Sequence, residues 1–273
     1  MPELPEVETT RNGIAPHIEQ QRIEQVVVRD TRLRWPVPED LAHLAQGRTV
    51  LAVTRRAKYL LLALDNGNLI IHLGMSGSLR ITQTKQQPEK HDHIDIAFAG
   101  GKCLRFRDPR RFGCLLWSQQ NPLMHPLLAS LGPEPLDDCF SGEYLHLRAQ
   151  GRSIPVKTFI MDQHIVVGVG NIYANEALFL TGLHPLVPAK TISREHFGQL
   201  IAAIKSVLSR AIAQGGTTLR DFVNEAGKPG YFQQALNVYG RSGQPCKRCG
   251  TTIRSLRMNQ RASFFCPLCQ NGG

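Results

Sequence analysis

Over roughly the first 120 residues, apolar and polar positions alternate in short runs. Residues 22–29, 49–55, 58–64, 68–73, 94–98 and 103–107 each repeat with a period near two, as strands with one buried face do. Asp65-Asn66-Gly67 and Gly100-Gly101 supply turns between them. Many short strands at this spacing predict a β-sandwich or barrel, preceded by a short helix at the N-terminus. Near residue 130, around Gly132-Pro133, the period lengthens. Residues 171–180 read as a helix. Residues 193–213 do so more strongly, because Phe197, Leu200, Ile201, Ile204, Val207, Leu208 and Ile212 form one apolar stripe. Residues 215–232 are rich in Gly, Thr and Asn and read as a long mobile loop, a kind of segment that often carries function.

Charge changes this picture more than composition does. The net charge is +10 and is unevenly placed: residues 151–273 hold 14 Lys and Arg against 5 Asp and Glu, while residues 1–150 hold 18 against 17. From Tyr239 onward the chain has Arg241, Lys247, Arg248, Arg254, Arg257 and Arg261 and no acidic residue. Such a gradient attracts a polyanion. No run of about eighteen apolar residues is present, so a membrane partner is not expected. The start, Met1-Pro2-Glu3-Leu4-Pro5-Glu6, is acidic where a leader peptide would be basic. The expectation is a cytoplasmic monomer.

Seven cysteines argue against a secreted disulfide framework. Cys103, Cys114 and Cys139 are scattered and read as buried thiols. Cys246, Cys249, Cys266 and Cys269 form two C-x-x-C knuckles sixteen residues apart, the spacing of a structural zinc site. A closed tetrahedral thiolate site leaves no open position for substrate, so the one zinc expected is structural. The hairpin between the knuckles would offer Arg254, Arg257 and Arg261 to nucleic acid.

Residues 165–171 look like a strand entering a Gly168–Gly170 turn and then a helix, as a dinucleotide-binding fold would begin. The fingerprint needs a third glycine where Tyr173 stands, and no repeating βαβ pattern surrounds it, so no organic cofactor is expected. The turn can still bring backbone close to phosphate, with Asn171 capping the helix whose free amides favour an anion.

Six motifs in order then carry a resemblance. They are MPELPEVET at the start, RAKYL around Lys58, LGMSGSL around Met75, DPRRFG over residues 108–113, VVGVGNIYANE ending at Glu176, and QRASFFC ending at Cys266. Along its whole length the chain resembles the formamidopyrimidine-DNA glycosylase family. The resemblance implies an α+β multidomain protein. An N-terminal β-sandwich with flanking helices would span residues 1–130, a helical helix-two-turn-helix domain residues 131–238, and a C-terminal zinc ribbon residues 239–273. It also implies base-excision repair of duplex DNA holding oxidised purines (8-oxoguanine, formamidopyrimidines) or abasic sites, with nucleoid association through that DNA.

The residue roles follow from the same resemblance. Once Met1 is removed, Pro2 presents a secondary amine that is partly neutral near pH 8 and can attack a sugar carbon. An iminium intermediate and β,δ-elimination would follow. Glu3 would move protons, Lys58 would assist at the sugar or adjacent phosphate, and Arg261 would grip phosphates at the lesion. His91, Arg110, Arg152 and Asn171 would hold DNA backbone; Arg152 stands where the family is expected to have lysine, which keeps the charge. Met75, Arg110 and Phe112 would fill the space left by the extruded nucleotide, and Arg110 would favour an opposite cytosine. Residues 217–231 resemble the lesion-capping loop. That loop and the acidic start count against the sister family acting on oxidised pyrimidines. A non-catalytic zinc protein would leave the Pro2-Glu3 start without a use.

Overall fold

The computed structural model describes residues 2–216 and 236–271. The expected capping loop over residues 217–231 lies outside them. The chain divides into two compact units at Ser130/Leu131, with the end of the long helix and residues 214–216 returning to the first unit.

The first unit opens on helix α1 (Leu4–Ile18). Eight antiparallel strands follow, with helix α2 (Leu41–Ala45) between the first two: β1 (Ile23–Val28), β2 (Val50–Arg56), β3 (Tyr59–Leu64), β4 (Gly67–His72), β5 (Ser78–Gln83), β6 (Asp92–Phe98), β7 (Lys102–Arg107) and β8 (Cys114–Ser118). They form two four-stranded sheets, ordered β1-β6-β7-β5 and β2-β3-β4-β8. Period-two alternation puts Ile94, Ile96, Phe98, Leu104 and Phe106 of one sheet and Leu60, Leu62, Leu64, Leu69 and Ile71 of the other into one core. Val7, Ile14 and Ile18 of α1 join them, so the helix is fixed to the sandwich by its apolar face. This is the expected β-sandwich. Strands β5 and β8 were not among the expected runs. In Ser78–Gln83 the outward positions include Arg80 and Thr82, and only Leu79 and Ile81 mark the inner face.

The second unit is mainly helical: α3 (Pro126–Ala129) precedes it, and α4 (Gly142–Ala149), α5 (Val156–Ile160), α6 (Asn171–Leu180) and most of α7 (Arg194–Ala213) lie within it. The apolar stripe expected over residues 193–213 is buried at Phe197, Leu200, Ile201, Ile204, Val207 and Leu208. Hairpin β9 (Arg254–Met258) and β10 (Arg261–Phe265) completes it. The strand expected over residues 165–167 does not form. With no strand pairing to it among the described residues, the run bonds to turns instead: the amides of Ile165 and Val166 donate locally to Asp162 O and that of Val167 to the distant Pro133 O. Cys103 and Cys114 are buried, and burial pushes both thiols up to about 11. Cys139 is exposed, against expectation, because in its turn it is the neighbouring Phe140 that packs inward. Among the described residues no helix is long and apolar enough to cross a membrane.

Candidate active site and metal centre

Glu3 is the N-cap of α1, and Pro5 occupies its first turn, where a missing N–H costs nothing. Glu3 and Glu6 form a capping box: the Glu3 amide donates to Glu6 Oε2 at 2.8 Å, and the Glu3 carboxylate takes the Glu6 amide. Pro2, Glu3 and Glu6 are all buried. Gly216, with φ 81°, lies against this end of the helix; a Cβ there would stand 3.2 Å from Glu6 Oε1.

Lys58 sits in the two-residue turn between β2 and β3, where Ala57 adopts φ 55°. Arg55 ties that turn to α1. Its Nε donates to Glu8 Oε2 at 2.8 Å and its Nη1 to Ala57 O at 2.9 Å. Arg11 also pairs with Glu8 at 2.6 Å. Burial alone would raise the Glu8 carboxyl, but its bonds to Arg11 and Arg55 outweigh that and hold it below its ordinary value.

Opposite Tyr59 on β4 stands His72, with ring centroids 4.8 Å apart. Its Nδ1 accepts the Gly74 amide at 2.9 Å, so the neutral ring carries its proton on Nε2. Burial, reinforced by the Lys58 and Arg34 cations, pushes the imidazole down to about 4. No pattern along the chain singles out His72, because its neighbourhood depends on strand register.

Met75, Arg110 and Phe112 project from two loops of this unit. Phe112 is 44% exposed, and the Arg110 guanidinium lies 5.0 Å from its ring centroid. His91, with φ 76°, closes the β5–β6 connection. Arg105 anchors that connection from the outer sheet face, donating to Gln86 O at 3.0 Å while holding Asp95 through two bonds of 2.8 Å. Desolvation, then Lys90 and His93, Arg107 and Arg111, holds the His91 imidazole below its ordinary value.

In the second unit Gly170, not Asn171, is the N-cap of α6. Asn171 is the first helical residue, and its side chain is spent elsewhere. Oδ1 accepts Lys157 Nζ at 2.6 Å and Nδ2 donates to Ala262 O at 3.0 Å. Lys157, 2% exposed, also donates to Ser263 Oγ at 2.6 Å. This buried lysine joins α5, α6 and β10, and the sequence hides it for the same reason as His72. Asn259 and Gln260 take φ 45° and 63° in the tight β9–β10 turn, which leaves Arg261 exposed at the start of β10. Arg152 is half-buried, its guanidinium 5.9 Å from the Phe159 ring centroid. Glu176, also buried, receives the amides of Asn237, Val238 and Tyr239 at 2.8–2.9 Å and so fixes the chain just before the cysteine-rich segment.

The four sulfurs of Cys246, Cys249, Cys266 and Cys269 lie within 4.8 Å of one another. A tetrahedral zinc with Zn–S bonds of about 2.3 Å needs S···S edges of roughly 3.8 Å. The Cys249–Cys266 and Cys246–Cys269 separations are 3.5 and 4.0 Å, which fits. Amides of Arg248 and Cys269 donate to Cys246 Sγ and Cys266 Sγ at 3.4 Å, bonds that would orient the thiolates and steady their charge.

Three family models match in order along the chain: the formamidopyrimidine-DNA glycosylase N-terminal domain over residues 1–115, the H2TH domain of the same enzymes over 131–223, and the zinc finger found in these enzymes and in IleRS over 243–272. A sandwich, an H2TH domain and a four-cysteine zinc finger together define a zinc-finger DNA glycosylase. The chain belongs to the formamidopyrimidine-DNA glycosylase family. It is 61% identical over 270 residues to the formamidopyrimidine-DNA glycosylase of Methylococcus capsulatus, covering 99% of this chain and all of the relative. The enzyme of Pseudomonas syringae pv. tomato is 58% identical over the same coverage. Among solved structures, the MutM (Fpg) protein of Thermus thermophilus matches with TM-score 0.88 at 40% identity, with full coverage of both chains. Lactococcus lactis Fpg in complex with DNA containing an abasic site matches with TM-score 0.91 at 31% identity, covering 99% of this chain and 100% of that one. The cysteine cluster is thus the site of one structural zinc ion.

Proposed function

We propose that the chain excises oxidised purines from duplex DNA in base-excision repair and then cleaves the abasic strand, with the Pro2 amine as nucleophile. The observation that carries the reading is the N-terminus itself. Pro2, Glu3 and Glu6 are buried at the start of a helix that Glu8 and Arg55 tie to the Lys58 turn. Support also comes from the family and from Lactococcus lactis Fpg bound to DNA containing Fapy-dG or an abasic site.

In this reading Met1 is removed and the Pro2 nitrogen attacks C1′ of the lesion nucleotide. The glycosidic electron pair leaves with the base, which takes up a proton. Glu3 protonates the ring oxygen, the C1′–O4′ bond breaks with its electron pair going to that oxygen, the nitrogen gives up its remaining proton, and a Pro2–C1′ iminium forms. That cation acidifies C2′–H; its loss expels the 3′ phosphate, and a second elimination expels the 5′ phosphate. Lys58 assists at the sugar or adjacent phosphate. His91, Arg110, Arg152, Asn171 and Arg261 hold phosphates, and Met75, Arg110 and Phe112 fill the vacated stack. Asn171 acts through Lys157 and the zinc hairpin as much as by direct contact, since both ends of its amide are engaged there. Residues 1–130 supply the chemistry, the stack fillers and part of the phosphate grip, and residues 131–238 and 239–273 the rest of the grip on DNA. The protein works in the cytoplasm, on nucleoid DNA. Cleavage of duplexes holding 8-oxoguanine or an oxidised pyrimidine, each opposite cytosine and adenine, tests the substrate class. Faster cleavage of 8-oxoguanine opposite cytosine is expected, and preference for the pyrimidine would favour the sister activity.

A further inference from the structure

We propose that Asp108 locks the Met75 loop and the Arg110–Phe112 loop into one pre-assembled wedge, which makes it the positioning residue for base extrusion. The proposal rests on the reading of Met75, Arg110 and Phe112 as fillers of the vacated stack. Asp108 is fully buried (0% exposed), whereas Arg110 and Phe112, in the loop it opens, are exposed. Its two carboxylate oxygens divide between the loops. Oδ1 accepts Ser76 Oγ at 2.7 Å, next to Met75, and the Arg110 amide at 3.3 Å. Oδ2 accepts the Gly113 amide at 2.7 Å, next to Phe112. The Arg110 amide also donates to Ser76 Oγ at 3.1 Å, so the two loops share a hydroxyl as well as a carboxylate.

Backbone packing makes the same junction. A Cβ on Gly74, where φ is 63°, would stand 2.4 Å from both Phe112 C and Gly113 N, so the loops touch main chain to main chain. The Asp108 backbone adds a third partner. Its amide donates to His91 O at 3.1 Å and its carbonyl lies 2.8 Å from His93 Nε2. A wedge that enters a base stack must hold its shape against the stacking it displaces. Exposed side chains such as Arg110 and Phe112 gain little rigidity from core packing, and the buried carboxylate supplies the constraint through charge-assisted bonds.

The test compares wild type, Asp108→Ala, Asp108→Asn and Ser76→Ala on two duplexes. One holds 8-oxoguanine paired with cytosine beside a 2-aminopurine; the other holds a preformed abasic site. The abasic site has no base to extrude, so borohydride trapping there, at enzyme concentrations that saturate the duplex, reports the amine chemistry apart from extrusion. For Asp108→Ala the rise in 2-aminopurine fluorescence and the single-turnover excision rate should both fall about tenfold, the effect of losing a hydrogen bond to a charged group. Trapping at the abasic site should stay near the wild-type level. Asparagine keeps one acceptor oxygen for Gly113 and can donate to Ser76, so Asp108→Asn should lie between. Ser76→Ala, which leaves the carboxylate in place, should shift extrusion in the same direction by less. If Asp108→Ala does not fold, the Asn and Ser76 variants carry the same comparison. Equal losses on both duplexes, or undiminished extrusion in every variant, would overturn the proposal. Failure of the wild type to be trapped on abasic DNA would instead overturn the functional reading beneath it, and is visible before any variant is compared.

Discussion

His72 is uncharged at neutral pH because it is buried beside Lys58 and Arg34, which push its imidazole from 6.5 down to about 4. The sign of the consequence follows from linkage. As pH falls below about 6.5 the unfolded chain takes up a proton that the folded chain refuses until about 4, so stability is full above 6.5 and is lost progressively across that window. His72→Gln should therefore lose about 2 kcal/mol less stability than wild type between pH 7 and 4.5. Denaturant unfolding at the two pH values measures this, and equal acid sensitivity of the two proteins would contradict it. A ring that stays neutral also spares Lys58 a neighbouring positive charge. His72 and Lys157 were illegible in the sequence because each acquires its partners from strands and helices distant along the chain. The four cysteines were legible because zinc ligation depends on local spacing alone. The roles proposed for Pro2 and Glu3 came from the resemblance carried by the MPELPEVET start, since a proline and a carboxylate at a helix N-terminus are by themselves ordinary.

At the scale of elements, local periodicity was a good guide where one face is buried and the other polar. The inward residues of β6 and β7 alternate cleanly, and α7 follows its stripe. The run over residues 165–167 failed because hydrophobicity without a pairing partner does not distinguish a strand from a buried turn. β5 went unseen because only two of its residues face the core. The zinc hairpin is the element most dependent on something other than packing. Its own buried cluster is small, centred on Phe179, Val238, Cys246, Ile253 and Cys266. Metal ligation therefore supplies much of its folding energy. Cys249→Ser should release zinc, unfold the hairpin and abolish DNA binding, while the β-sandwich, which contains none of the ligands, keeps its cooperative unfolding transition. Metal content, near-ultraviolet dichroism and a binding titration check this together; intact binding after verified zinc loss would contradict it.

For the molecule as a whole, the charge gradient toward the C-terminal half is the property that the sequence displays most openly. Arg261 stands exposed at the tip of the zinc hairpin, and Arg110 stands exposed on the sandwich. Each phosphate contact that such a residue makes releases counterions, so binding should weaken steeply with salt. Arg261→Ala should lower the slope of log K against log salt by about 0.9. An unchanged slope would remove Arg261 from the contacts. The central claim concerns one bond, between the amine of Pro2 and the sugar of the lesion. With Met1 attached that nitrogen is an acylated amide with a delocalised lone pair, so only the processed chain can react. Borohydride trapping on 8-oxoguanine or abasic DNA, followed by digestion and mass spectrometry of the adduct, tests this most directly. Sugar on the N-terminal peptide beginning at Pro2, and no adduct from chain that retains Met1, is the result predicted; sugar on the peptide containing Lys58 would contradict it.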